Sequence, residues 1–282
     1  MTWFVTPFTD NTFMMRALLA GVLVALLCAV AGTFVVLRGL AFIGDALAHG
    51  VLPGVAGALL LGAPGMIGAA VGSAVMIVGV SAITHRTRLS SDTAIGLLFV
   101  GMLALGVIIV SRSDSFNGDI IRILFGEILG IDSSDLLVLL AATVVIAALA
   151  VVFARPFLLL CFDPEQADVA GFRASRYHVV MLVMVATTVV VSFQAVGTLL
   201  VFGMLIAPAG AGALLARRVT AMMAWAAGLG SASVYIGLLL SYHFDLAAGA
   251  SIVFVTVCMF FVVFTVQVLR AASSPSASAA SA

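Results

Sequence analysis

Apolar segments of about 20 residues follow one another along almost the whole chain, and this pattern constrains the fold more than any other feature. A helix needs about 20 apolar residues to cross a bilayer. The breaks between the segments carry Arg, Asp, Gly and Pro. The pattern predicts an all-α, polytopic integral membrane protein. The predicted spans cover residues 14–37, 43–61, 65–84, 93–111, 135–154, 177–193, 196–215, 221–241 and 247–269.

The number of spans is open at one place. The stretch 177–215 has no charged turn between its halves, only Gln194 and Gly197. It can form two short helices, or one span followed by a broken helix. We therefore expect about eight transmembrane helices, or nine if this stretch forms two.

Composition excludes several classes of protein. Hydrophobic residues make up 64% of the chain and charged residues 9%, whereas soluble domains have about 25% charged residues. The net charge is zero and no basic patch is present, so we expect no nucleic-acid partner. The sequence has no HExxH, GxSxG, CxxC or Walker-type glycine loop, motifs typical of enzymes and nucleotide sites. We expect no enzymatic activity and no permanently bound cofactor, so active transport would need a separate ATPase.

The arginines predict the orientation of the chain in the cytoplasmic membrane. Loops rich in Arg face the cytoplasm, and Arg112 and Arg122 are exceptions surrounded by acidic residues. We divide the chain into an N-terminal segment (1–13), one membrane domain (14–270) and a small, polar tail (271–282) that we expect to be disordered. The arginines on the predicted cytoplasmic side are Arg38, Arg86, Arg88, Arg155, Arg173, Arg176, Arg217 and Arg218.

Asp45 and His49 lie in an otherwise apolar predicted span. One ionisable side chain at the bilayer centre costs about 2.5–3.5 kcal/mol. Their i, i+4 spacing places both on one helix face, so a carboxylate and an imidazole can bind the same cation. Pro53 lacks the N–H that would bond the His49 carbonyl. These nitrogen and oxygen ligands suit manganese, iron or zinc, although two side chains are too few for a tight site. A hydrogen bond that only holds helices together is the alternative.

Two predicted cytoplasmic segments could receive an ATPase. One contains Asp163 and Glu165, with Pro164 placed to start a short helix. The other is the Arg217–Arg218 pair that ends a span. Both segments can equally be ordinary charged loops at the membrane edge. Glycine pairs such as Gly50 with Gly54, and Gly68 with Gly72, predict closely packed helices.

Several motifs together resemble the membrane permease of the bacterial ABC-type manganese and zinc import systems. The resemblance covers roughly residues 14–268. The motifs are GTFVVLRGLAFIGDALAHGVLPGVA (32–56), SSDTAIGLLFVGMLALGVIIVSR (90–112), FDPEQADVAGF (162–172), SFQAVGTLLVFGMLIAPAGAGALLARR (192–218) and LSYHFDLAAGASIV (240–253).

The resemblance implies a permease that pairs with a second copy, a homodimer around a central path. It also implies two cytoplasmic ATPase subunits and an extracytoplasmic metal-binding protein. Asp45 and His49 match the family's intramembrane Asp-x-x-x-His, which implies contact with the metal. The segments at Arg217, Arg218 and 162–172 match cytoplasmic regions that lead to the ATPase.

The chain departs from the family pattern at Ala48, 209–212 and 247–249, which leaves the metal open. The sequence thus predicts an ATP-driven importer of manganese or zinc, with these ions as transported substrate. Two alternatives remain: a permease for a metal chelate or small organic ligand, and a structural membrane subunit. The first predicts that loss of His49 has little effect, and the second that changes at Asp45 lower only the amount of folded protein.

Overall fold

The computed structural model describes residues 6–9, 11–111 and 128–273. The regular elements of these ranges are helices, after a short helical turn at 6–9 and with a 3₁₀ turn at Ile128–Gly130. Arg112, Arg122 and residues 274–282 of the predicted tail lie outside the described residues. The helices are α1 (Thr12–Leu37), α2 (Ala41–Leu60), α3 (Gly65–Arg86), α4 (Ser91–Val110), α5 (Ser133–Val152), α6 (Ala154–Phe162), α7 (Pro164–Val169), α8 (Ala174–Val196), α9 (Thr198–Leu215), α10 (Val219–Phe244) and α11 (Ala248–Ser273).

Nine helices in the described part of the chain are long and apolar enough to cross a membrane. This confirms the all-α, polytopic prediction. The stretch 177–215 forms two helices, α8 and α9, which meet at Gly197. Gly197 has φ 81° and ψ 166°, a conformation that glycine adopts without steric cost. The last helix, α11, extends to Ser273, into the segment expected to be a tail.

The spanning helices pack in two groups. In the first, α2 lies against both α3 and α4; in the second, α1, α9, α10 and α11 pack together. Helix α8 contacts α1, α2, α3 and α5, and α9 contacts α2 as well as the second group. The helix with the metal candidates, α2, therefore lies inside the bundle, held from several directions.

The predicted glycine pairs bring α2 and α3 into backbone contact. A Cβ at Gly54 would overlap the carbonyl oxygen of Gly68, and one at Gly72 would lie 2.7 Å from the carbonyl oxygen of Gly50. Only glycine permits helix backbones to approach this closely. The contact fixes the position of α2 along α3.

Ion pairing at one end of the bundle agrees with the predicted orientation. Arg16, near the start of α1, lies 3.9 Å from Asp132, which precedes α5. Arg16 is not among the arginines that were predicted to face the cytoplasm. If the nine candidate spans of the described part cross in alternation, the α1–α2 turn, the α6–α7 region and the α9–α10 turn all lie on the opposite, arginine-rich side. The described part thus supports a cytoplasmic location for the segments containing Asp163 and Arg217.

Candidate metal site on helix α2

Asp45 and His49 project from the same face of α2. The Oδ1 atom of Asp45 lies 3.4 Å from the Nε2 atom of His49. The side chains are 32% and 23% exposed, respectively. Neither is sealed in the core, so both are accessible from one side of the helix.

The site opens into a cavity of about 480 Å³ between α2 and α4. Asp45 and Phe42 line it from α2, and Phe99 lines it from α4. The Phe99 ring meets the His49 ring edge to face, with centroids 5.5 Å apart. This contact orients the imidazole next to the cavity.

The second ring nitrogen of His49 has an unusual environment. Its Nδ1 atom is buried and has no hydrogen-bond partner among the described residues. A buried polar atom without a partner carries a desolvation cost of about 1–3 kcal/mol. The His49 ring therefore has one nitrogen that no described residue satisfies.

Pro53 lies inside α2, as the sequence predicted. Because proline has no N–H, the carbonyl of His49 lacks its usual i+4 donor. The oxygen acceptor that loses this donor belongs to His49 itself, so it lies at the Asp45–His49 pair. Even so, the described residues contain no group of three His, Cys, Asp or Glu side chains that could hold a metal ion. Metal binding by Asp45 and His49 therefore stays a prediction, and it would need ligands beyond this pair.

Asp92 is a site residue that sequence reasoning missed. It lies in the first turn of α4 and lines the same cavity as Asp45. The Ser90 side chain caps this helix by accepting a hydrogen bond from the backbone N–H of Thr93 at 3.2 Å. An acid in the first turn is typical of any helix N-terminus. The sequence therefore gives no reason to expect Asp92 beside Asp45. No local sequence signal distinguishes it, because the packing of α4 on α2 is a tertiary feature.

The predicted ATPase-contact residues lie on two separate connections between helices. Asp163 accepts a hydrogen bond from the backbone N–H of Gln166 at 3.0 Å and so caps α7. Arg217 and Arg218 are exposed in the turn between α9 and α10. The side chain of Glu165 lies outside the described part of the structure. A contact with an ATPase stays a prediction for all four.

Comparison with known proteins places the chain in a family. The model of the ABC 3 transport family matches residues 10–267. The manganese transport system membrane protein MntC of Listeria monocytogenes is 35% identical over 261 residues, 93% of this chain and 93% of that protein. The chelated iron transport system membrane protein YfeD of Yersinia pestis is 36% identical over 251 residues, 89% of this chain and 84% of that protein.

A solved structure supports the same placement. PsaBC from Streptococcus pneumoniae in complex with Fab contains a chain 32% identical to this one, with a TM-score of 0.82. The match covers 93% of this chain and 94% of that chain. The fold, the nine apolar helices and these similarities together show that the chain belongs to the ABC 3 transport family, as a multi-pass protein of the cytoplasmic membrane.

Proposed function

We propose that this chain is the permease subunit of an ATP-driven importer of divalent metal ions, with manganese as the preferred substrate. The carrying observation is the Asp45–His49 pair on a helix long and apolar enough to span a membrane, with Asp45 in the wall of the cavity between α2 and α4. The names of the similar proteins support transport of manganese, and in one case of chelated iron. They favour manganese over zinc, the second metal that the sequence predicted.

The distance within the pair suits binding to one ion. Metal–ligand bonds of about 2.0–2.2 Å, at angles of about 90–110°, place two ligand atoms roughly 2.8–3.6 Å apart. The Asp45 Oδ1 and His49 Nε2 atoms are 3.4 Å apart. An ion can therefore take both ligands with little movement of α2. The carboxylate also offsets part of the ion's charge in a medium of low dielectric constant.

A second copy of the chain would complete the site. An incompletely buried carboxylate cannot face hydrocarbon without a large cost, so the α2–α4 face needs a polar or protein cover. In a two-fold symmetric pair, the same patch of each copy meets its equivalent. Two Asp45–His49 pairs would then line one central path. Few ligands per copy also keep binding weak enough for release.

Asp92 would serve the cytoplasmic exit of this path. Helices α2 and α4 both begin on the arginine-rich side. Asp45 lies four residues after the start of α2, whereas Asp92 lies one residue after the start of α4. At 1.5 Å per residue, Asp92 is roughly 4–5 Å nearer the cytoplasmic end. A metal ion leaving Asp45 would meet a second carboxylate in the same cavity.

The cytoplasmic segments offer a surface for partner ATPase subunits. Phe162 and Val169, at the ends of α6 and α7, are 71% and 89% exposed. Both side chains are therefore available for contact with a partner subunit. With Arg217 and Arg218 on the same side, they support docking of an ATPase pair, and an extracytoplasmic metal-binding protein would deliver the ion to the other side.

Metal accumulation in cells tests this proposal. Cells that lack the endogenous importer are rescued with the wild type, Asp45→Asn or His49→Ala, and manganese, iron and zinc are measured by elemental analysis. Membrane abundance is measured in parallel. Asp132→Asn is the control, since it changes an exposed carboxylate and asparagine is an equally good helix cap.

We expect both site variants to reach the membrane and to lower manganese uptake at least about tenfold, the usual scale for damaged metal sites. Full rescue by His49→Ala would overturn the coordinating role and favour a chelate or small organic ligand. If uptake falls only in proportion to abundance, the pair is structural.

A further inference from the structure

Arg38 joins three helices at the cytoplasmic end of the bundle. It follows the last residue of α1. Its Nη1 atom donates a hydrogen bond to the carbonyl oxygen of Leu160 on α6 at 2.8 Å. Its Nη2 atom lies 3.4 Å from Nδ1 of His178 on α8, where the guanidinium donates because it has no acceptor. One side chain thus binds segments 122 and 140 residues away.

The sequence explains why the Leu160 carbonyl is available. A helical carbonyl normally accepts from the N–H four residues later, and that residue is Pro164, which has no N–H. Leu160 is 1% exposed, so water is not a ready substitute. A cation is also favourable at a helix C-terminus. Arg38 therefore caps the end of α6 at the position that Pro164 leaves open.

Aromatic contacts hold α6 against the same two helices. The rings of Phe34 on α1 and Phe157 on α6 meet edge to face, with centroids 5.2 Å apart. Phe153, at the start of α6, packs on Tyr177 of α8 at 5.9 Å. Phe34 and Phe157 are almost completely buried. Helix α6 is consequently anchored to α1 and α8, and it leads into α7 through the single residue Asp163.

The turn after Arg38 is stiff. Gly39 has φ 67°, its N–H donates to the carbonyl of Val36, and the N–H of Leu40 donates to the carbonyl of Val35. This paired pattern is the Schellman motif, a well-defined helix ending. Helix α2 begins at Ala41, directly after the turn. A displacement of Arg38 is therefore expected to move α2, and with it Asp45.

We propose that Arg38 is a positioning residue that carries movement of the cytoplasmic segment 154–169 to the metal-binding helix α2. The segment contains Phe162 and Val169, the surface offered to the ATPase. The inference rests on the proposed function, because it needs an ATPase at this segment. It assigns the mechanical link to one side chain whose acceptor is fixed by Pro164.

The test uses the complete transporter in proteoliposomes, with its ATPase subunits and metal-binding protein. Manganese uptake and phosphate release are measured together, and their ratio gives the metal moved per ATP. One variant is Arg38→Met, which removes the hydrogen bonds and keeps a long side chain. The other is Arg38→Lys, which keeps the charge but lacks the planar guanidinium that can donate to two acceptors. Arg86→Met is the matched control, an exposed arginine at the cytoplasmic end of α3.

We expect Arg38→Met to lower the manganese-to-ATP ratio at least about fivefold, the lower end of usual coupling factors, while ATP hydrolysis continues. Arg38→Lys gives a smaller loss in the same direction, and Arg86→Met leaves the ratio unchanged. A purely structural role lowers the amount of complex and both rates together. An unchanged ratio in both Arg38 variants overturns the proposal.

Pro164→Ala is a second route that leaves Arg38 in place. Alanine supplies an N–H and permits Asp163 to become helical, so α6 can satisfy the Leu160 carbonyl itself. We expect the ratio to fall, and Arg38→Met to have less effect in this background than in the wild type. Independent, fully additive effects contradict the link. Failure of the wild-type complex to transport manganese would instead refute the proposed function.

Discussion

Replacing Gly54 by alanine tests whether the α2–α3 backbone contact holds the metal helix in place. The new Cβ would overlap the carbonyl oxygen of Gly68 and lie 2.9 Å from its carbonyl carbon and 3.0 Å from the nitrogen of Gly72. All three atoms belong to backbone, so no side chain can rotate away. The helices must therefore separate.

The magnitude follows from two opposing effects. Overpacking of a close contact costs about 1–3 kcal/mol, and backbone on both sides places Gly54→Ala near the upper end. Alanine gains about 0.5–1 kcal/mol over glycine in a helix. The net loss is about 2 kcal/mol. Gly57→Ala is the matched control, because it lies one turn further along α2 with nothing within 4 Å of the added Cβ. This variant has only the stabilisation that alanine gives to a helix.

Thermal unfolding of the purified protein in detergent measures the difference. At about 2–4 °C per kcal/mol for a chain of this size class, Gly54→Ala lowers the midpoint by about 4–8 °C, and Gly57→Ala raises it slightly. Manganese uptake falls with Gly54→Ala, since α2 shifts relative to α4. Equal midpoints for the two variants would refute the reasoning that the Gly54 contact leaves no room.

The remaining predictions concern the cavity and the cytoplasmic helix α6. Asp92→Asn lowers the maximal rate of manganese uptake about two- to fivefold, as for an accessible charge contact of about 0.4–1 kcal/mol, without changing the external concentration at half-maximal rate; unchanged kinetics contradict an exit role. Burial raises the pKa of the Cys161 thiol from 9.0 to about 11, while Arg38 partly opposes the rise. In a variant with Cys161 as its only cysteine, the alkylation rate therefore still increases about tenfold between pH 9 and 10 because thiolate is the reactive form, whereas a levelling near pH 9 contradicts this environment.

The spans and the proximity of Asp45 to His49 were predictable, because bilayer thickness and helix periodicity impose these signals. Hydrocarbon thickness fixes helix length, so nine apolar helices appear near the expected positions. The i, i+4 rule placed Asp45 beside His49 without any knowledge of neighbouring helices. Pro164 starts the short helix α7 as expected, since proline suits the first helical position.

The contacts between helices could not be predicted from local sequence patterns. Asp92 reaches the cavity of Asp45 only because α4 packs on α2. Arg38 looked like an ordinary cytoplasmic arginine, and its contacts with Leu160 and His178 depend on distant segments meeting in space. The glycine at 197 offered two interpretations, and its positive φ selects the one with two helices.

The polar residues of α2 have a consequence for the biogenesis of the protein. Among the spanning helices of the described chain, α2 has the lowest mean hydropathy, and Asp45 further weakens its partition into lipid. Its neighbours α3 and α4 are made after it, and their packing supplies the shelter that its own sequence lacks. We therefore expect α2 to become stable in the bilayer only after the following two helices have been inserted. Membrane integration of the proposed metal-binding helix would then depend on residues that are synthesised later.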